Sequence, residues 1–101
     1  MTVNKSKNGS VLNVIVEGRV DTATAPQFET EVKSALSGIT ELDIDFSQLN
    51  YISSAGLRVL LSLQKIMNSQ GTMRITGVNE TVSEILNITG FSEILNIKRY
   101  E

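Results

Sequence analysis

Neither cysteine nor histidine occurs in the 101 residues of this chain. Without cysteine there is no disulfide framework, no thiol nucleophile and no thiolate metal site. Without histidine the commonest general base and metal ligand is missing as well. A basic excess is also lacking, since nine Lys and Arg stand against eleven Asp and Glu, a formal net charge of −2. Nucleic-acid binding needs a basic face, so no nucleic-acid partner is expected. No apolar run approaches the roughly 20 residues needed to span a membrane. The opening MTVNKSKNG is too polar for a signal peptide. These absences predict a soluble, cytoplasmic chain with no direct membrane insertion. The length allows one domain, residues 1–101, with one modest core, and no internal repeat or low-complexity tract marks a linker.

What is present is organised around Asp45–Asn68, DFSQLNYISSAGLRVLLSLQKIMN. Leu42, Ile44 and Phe46 alternate with polar neighbours, which is a strand period. A turn-rich SQLN follows, then Tyr51-Ile52 and two serines, and from Leu57 an apolar helical pattern begins. Two hydroxyls therefore stand where a helix starts. Either serine can accept from the free N–H groups of the first turn. Those same groups and the helix dipole favour a negative charge there.

On the helix, a step of 100° per residue puts Val59, Leu60, Leu63, Ile66 and Met67 on one arc, expected to be core. Arg58, Ser62, Lys65 and Ser69 fall opposite, toward solvent. Leu57 and Leu61 lie on the flank beside Ser54. They read either as core edge or, rimmed by Arg58 and Lys65, as an apolar docking patch.

Upstream, Val3 and its neighbours lead to Asn8-Gly9, a dipeptide suited to a tight hairpin turn. Val11–Val16 is a β-branched run whose apolar residues occupy both parities, which predicts a strand covered on both faces. Asp21 is placed to cap a helix carrying Pro26 in its first turn and Ala25, Phe28, Val32, Ala35 and Leu36 at helical spacing. Glu29 and Lys33 form an i,i+4 pair, and Gly38 supplies a stop. Downstream, Gln70-Gly71 ends the central helix and Thr72–Thr76 reads as a strand. Asn79 can cap the next helix, while Thr81 with Glu84 has capping-box spacing. That helix carries Val82, Ile85 and Leu86 and ends at Gly90, before an apolar tail with Phe91, Ile94, Leu95 and Ile97, a short helix or a strand. The order ββαβαβα predicts an α/β fold, a mixed, mostly parallel sheet with an N-terminal antiparallel hairpin and helices packed on it.

Catalytic constellations are missing. Ser54 has no histidine to activate it, and the third residue after it is Leu57, not the lysine of a serine–lysine pair. Neither a GxGxxG nor a GxxxxGK phosphate loop occurs, so no cofactor cradle is expected. Asp43 and Asp45 stand two apart, but no further donors recur nearby, so neither a metal site nor an acid/base pair is expected.

YISSAGLRVLL after a DFSQL strand resembles the signature segment of STAS domains, the family of sulphate transporter and anti-sigma factor antagonist modules. In the antagonist branch the serine two places before the glycine is phosphorylated. Counting back from Gly56, the resemblance implies Ser54 as acceptor, with Ala55 at a Ser/Thr position and Ser53 where an acidic residue often stands. GRVDTATAP resembles the family's second signature, a strand-to-helix loop whose aspartate, here Asp21, lies close to the phosphoserine. Asp45 matches a common family aspartate, whereas the position of Asp43 is usually apolar.

The resemblance implies a STAS domain with no activity of its own. In its unphosphorylated form it binds an anti-sigma factor that is also a serine kinase, and so releases a sigma factor. Phosphorylation by that kinase ends the interaction, and a metal-dependent PP2C-type phosphatase resets it. The expected partner-binding residues are Asp21, Ser53, Ser54, Leu57, Arg58 and Leu61. The alternative is a STAS regulatory or structural subunit of a membrane transport assembly, without a phosphorylation cycle.

Overall fold

The computed structural model describes residues 1–90 and the backbone of a strand at 97–99. Chain order is β1 (Thr2–Asn8), β2 (Val11–Val20), α1 (Ala25–Lys33), β3 (Glu41–Asp45), β4 (Leu49–Ile52), α2 (Ser54–Asn68), β5 (Thr72–Val78), α3 (Glu80–Ile88) and β6 (Ile97–Arg99). Phe91, Ile94 and Leu95 lie outside the described residues, and Ile97 opens β6.

The sheet order is β1-β2-β3-β5-β6, antiparallel only between β1 and β2. The hairpin is where the sequence places it, but its two-residue loop is Gly9-Ser10 rather than Asn8-Gly9, because Asn8 pairs with Val11. Gly9 alone takes a positive φ, 62°. A positive φ at the first loop position only is the pattern of a type II′ turn, which favours glycine there.

The short strand β4 is an addition to the expected order. Strand β2 pairs with β3 along Val11–Ile15, and beyond that β4 takes the place of β3 against Gly18–Val20. Gly18 sits at the register shift with φ 92°. One long strand thus carries two short parallel partners end to end. Its last residues meet the entrance to α2.

Coverage of the sheet differs from the sequence reading. Leu12, Val14 and Val16 are buried, whereas Asn13 and Ile15 are exposed, Ile15 at 39%. Helices therefore cover one face only. Apolar residues at both parities do not require two covered faces, since Ile15 stands exposed among polar neighbours on the open side. Partners in register share a face, so Asn4, Ser6, Asn13, Asp43, Asp45, Arg74 and Thr76 all belong to that open side. On the covered side, Lys5 and Lys7 of β1 reach over to donate to the carbonyl oxygens of Glu31 and Ser37.

One core joins the elements: Phe28 and Val32 from α1, Leu60, Leu63 and Met67 from α2, Val82 and Leu86 from α3, and the inward residues of the strands. In α1 the expected Glu29–Lys33 pair forms at 3.1 Å, and Gly38 beyond the helix takes φ 74°. At the end of α2, a Cβ on Gly71 would land on the Thr40 carbonyl, so only glycine lets β5 begin this close to the start of β3. Helix α3 is capped by Asn79, whose Oδ1 accepts from the Val82 N–H at 2.9 Å. The Thr81–Glu84 spacing is not a capping box here, because Thr81 already lies inside the helix.

Candidate functional site

Two parallel strand ends build the site. Val20 of β2 is in register with Ile52 of β4. The next peptide of the second strand is fastened to the first by a bond from the Ser53 N–H to the Val20 carbonyl, 2.8 Å. Asp21 and Ser53 therefore leave the sheet side by side, each opening a loop or turn that runs into a helix.

Of the two serines, Ser53 is the cap. Its backbone is extended (φ −89°, ψ 174°) and its hydroxyl accepts from the Gly56 N–H at 3.4 Å. Ser54 is the first helical residue; it is exposed, and its hydroxyl makes no hydrogen bond among the described residues. The two roles left open by the sequence are thus divided between two neighbours.

Gly56 lets this helix start lie on the strand ends. A Cβ there would approach Ile52 Cγ1 at 2.6 Å and Val20 Cγ1 at 2.8 Å, both side chains being fully buried. Its φ is not positive, so the requirement is space rather than backbone conformation.

Asp21 holds the other loop, though not as the expected helix cap. Helix α1 begins later, with Thr24 at its N-cap position. The Asp21 carboxylate accepts instead from the N–H groups of Ala23 and Thr24, both at 3.0 Å, and from the Thr24 hydroxyl at 3.1 Å. These bonds, the Thr24 N–H first, hold its carboxyl below the ordinary carboxylate value. Beside it, the Arg19 guanidinium lies over the Tyr51 ring, 4.6 Å from its centroid.

The surface around Ser54 also differs from the sequence reading. Leu57 is 3% exposed and belongs to the core, because Val20 and Ile52 lie beneath the first turn of α2. It cannot form a docking patch. Leu61 is half-buried and lines a shallow depression further along α2, with Gln64, Lys65 and Met73. The hollow next to Ser54 lies on its other flank, between the N-terminal halves of α1 and α2. It measures about 250 Å³, and its lining includes Ala25, Pro26, Ala55 and Val59 with Glu29 and Arg58. Ala25 and Ala55 are the readable signal for this hollow, since small residues at helix starts leave room between them.

Asp43 and Asp45 are not brought to this site. They face the uncovered side of the sheet, where Asp43 pairs with Arg74 at 3.3 Å and Asp45 accepts from the Ser47 N–H at 2.7 Å. The Asp43 carboxyl, by a shared hydrogen bond and by like charge, pushes neighbouring Glu41 above its ordinary value. Among the described residues no group of three metal-ligating side chains occurs. The serine–lysine spacing that Ser54 lacks does occur further along α2, at Ser62 and Lys65. Lys65 is exposed, however, whereas a lysine acting as a base requires a desolvated setting.

The STAS domain family model matches residues 2–101, and the chain belongs to that family. It is 32% identical over 99 residues to BtrV of Bordetella bronchiseptica, covering 96% of this chain and 85% of that one. It is 29% identical over 100 residues to an anti-sigma-B factor antagonist of Listeria monocytogenes, covering 96% and 87%. The fold matches that of the Bacillus anti-sigma factor antagonist SpoIIAA. Its unphosphorylated form superimposes with a TM-score of 0.82 at 14% identity, over 95% of this chain and 87% of that one. Its phosphorylated form gives 0.74 at 13% identity, over 95% and 90%. No helix among the described residues is long and apolar enough to cross a membrane.

Proposed function

We propose that this protein is an anti-sigma factor antagonist whose affinity for its partner is set by phosphorylation of Ser54. The observation that carries this reading is the division of labour at the head of α2: Ser53 caps the helix, and Ser54 presents an exposed, unbonded hydroxyl one residue later. The relatives named anti-sigma-B factor antagonist support the class of partner. In this reading the unphosphorylated protein binds an anti-sigma factor with serine-kinase activity and frees a sigma factor in the cytoplasm. The kinase transfers the γ-phosphoryl group of ATP to Ser54 Oγ; ADP leaves and the hydroxyl proton is released. A PP2C-type phosphatase hydrolyses the ester and restores the hydroxyl. This chain catalyses none of these steps.

The energetics favour release over misfolding. Phosphate adds about −1.5 to −2 charges. At a helix N-terminus the dipole returns about 0.3–1 kcal/mol, and up to about 2 in sheltered geometries. Burying the same dianion in an interface costs several kcal/mol unless a cation meets it. Each ~1.4 kcal/mol is tenfold in affinity, so binding is lost while an exposed residue leaves the core untouched. The test is incubation with each anti-sigma factor kinase of the source organism and ATP, followed by intact mass and peptide mapping. Phosphate on Ser54 is expected; phosphate on Ser53 with Ser54 unmodified would refute the assignment.

A further inference from the structure

Arg58 stands one helical turn after Ser54. Residues four apart on a helix are surface neighbours, about 5–6 Å between Cβ atoms. Helical side chains also lean back toward the N-terminus, so the longer of the two extends over the shorter. Arg58 is exposed and takes part in no hydrogen bond, ion pair or aromatic contact among the described residues. The neighbouring cations are committed or distant. Arg19 lies over Tyr51, Lys33 pairs with Glu29, and Lys65 is nearly two turns further along α2 than Arg58. The site thus has an uncommitted guanidinium beside an exposed hydroxyl.

We propose that Arg58 is the internal counter-ion of phosphoserine at position 54. The proposal rests on the reading of Ser54 as the acceptor and adds what the phosphate does once attached. Two parallel N–H groups of a guanidinium match two phosphate oxygens, a pairing that an ammonium does not reproduce. The order also suits the helix, with the anion in the first turn and the cation one turn later.

Capture of the phosphate has a second consequence. Arg58 and Glu29 both line the hollow between α1 and α2. When the guanidinium turns back over the phosphate, the rim loses its uncommitted cation, since Glu29 across the hollow is already paired with Lys33. Phosphorylation then changes the partner-facing surface at two places, the head of α2 and the edge of the hollow. A carboxylate on the partner that approaches Arg58 in the unmodified protein loses its cation.

Phosphoserine installed at position 54 by recoded translation requires no kinase, so this test is separate from the identity of the acceptor in the cell. Phosphorus-31 NMR then follows its second ionisation, ordinarily near pH 6. Asp21 and Glu29, across the strand ends and the hollow, raise that midpoint, each offset by its own cation, Arg19 and Lys33; the dipole of α2 and Arg58 lower it. Arg58→Gln keeps the helix, the dipole and both carboxylates, so it isolates the guanidinium. Its midpoint should lie about 0.5 pH unit or more above that of the unsubstituted phosphoprotein, a modest value for an opposite charge at the surface. Arg58→Lys should restore part of the difference, and Lys65→Gln should leave the midpoint unchanged. Equal midpoints for Arg58→Gln and the unsubstituted phosphoprotein would overturn the proposal. So would a shift of the same size from Lys65→Gln, which would show a diffuse field rather than a pair.

Discussion

The Ser53 N–H donates to the Val20 carbonyl oxygen at 2.8 Å. This bond extends the parallel pairing of β2 and β4 by one peptide, just past the point where each strand ends. It brings Asp21, next after Val20, alongside the serine pair, although they are more than thirty residues apart in the chain. A carboxylate and an exposed hydroxyl thus sit on adjacent exits from one sheet.

Asp21 should matter to the partner more than to the fold. Asp21→Asn keeps the Oδ1 acceptor that orders Ala23 and Thr24 but removes the charge. The variant should fold, while its affinity for the anti-sigma factor or its rate of phosphorylation should fall by about tenfold. Normal binding and normal phosphorylation would leave Asp21 with a structural role alone.

The same carboxylate gives a pH signature. Its folded value lies below the ordinary 3.8, so it stabilises the fold fully above that value. The benefit is lost as pH falls through the folded value. Urea unfolding at pH 7 and pH 3 should show the advantage of the unsubstituted protein over Asp21→Asn shrinking in acid. An advantage that grows in acid would contradict the bonding described for this loop.

Gly56→Ala sets two effects against each other. Helix propensity favours alanine by about 1 kcal/mol. Against this, the new methyl would stand 2.6 Å and 2.8 Å from buried atoms of Ile52 and Val20, and overpacking costs about 1–3 kcal/mol. A net loss of stability is expected, read as a lower urea midpoint with an unchanged slope. A higher midpoint would show that α2 can lift from the strand ends at little cost.

Asn79 joins α3 to β4 from both ends of its amide: Oδ1 accepts from Val82 N–H, and Nδ2 donates to the Leu49 carbonyl at 2.7 Å. Asn79→Ala removes a cap worth about 1 kcal/mol and a bond worth about 0.5–1.5 kcal/mol. Asn79→Asp keeps the cap and loses only the second bond. Chemical denaturation should rank alanine below aspartate; the reverse order would mean that a carboxylate set against the Leu49 carbonyl costs more than the cap contributes.

Much of this arrangement is legible in the sequence because it is local. Periodicity gives β2, β3, α1, α2 and α3, and the core arc of Leu60, Leu63 and Met67 follows from 100° steps. The Ser-Ser pair signals a helix start because capping depends on neighbouring residues only. What the sequence does not reveal depends on distant contacts. Strand β4 has only four residues and follows turn-forming ones, so it exists through its pairing with Gly18–Val20 rather than its own pattern. Leu57 lies on the flank of the helical wheel, and it is buried because the first turn of α2 rests on the strand ends, where Val20 and Ile52 crowd Gly56. Ile15 looks like a residue of a covered face because no parity count tells which face the helices leave open. The displacement of α1 past Asp21 has a local cause that spacing conceals, a turn held by the carboxylate before the helix begins.

The central claim is that charge at Ser54 governs partner binding, and calorimetric titration against the cognate anti-sigma factor tests it most directly. Four forms are compared: unmodified, phosphorylated at Ser54, Ser54→Asp and Ser54→Ala. The unmodified and alanine forms should bind alike. The aspartate form should bind about tenfold or more weakly, since one desolvated charge costs at least about 1.4 kcal/mol. The phosphorylated form, with more charge and more acceptor oxygens, should bind weakest. Equal affinity of all four would contradict the account and favour a STAS subunit that docks its partner without a phosphorylation cycle.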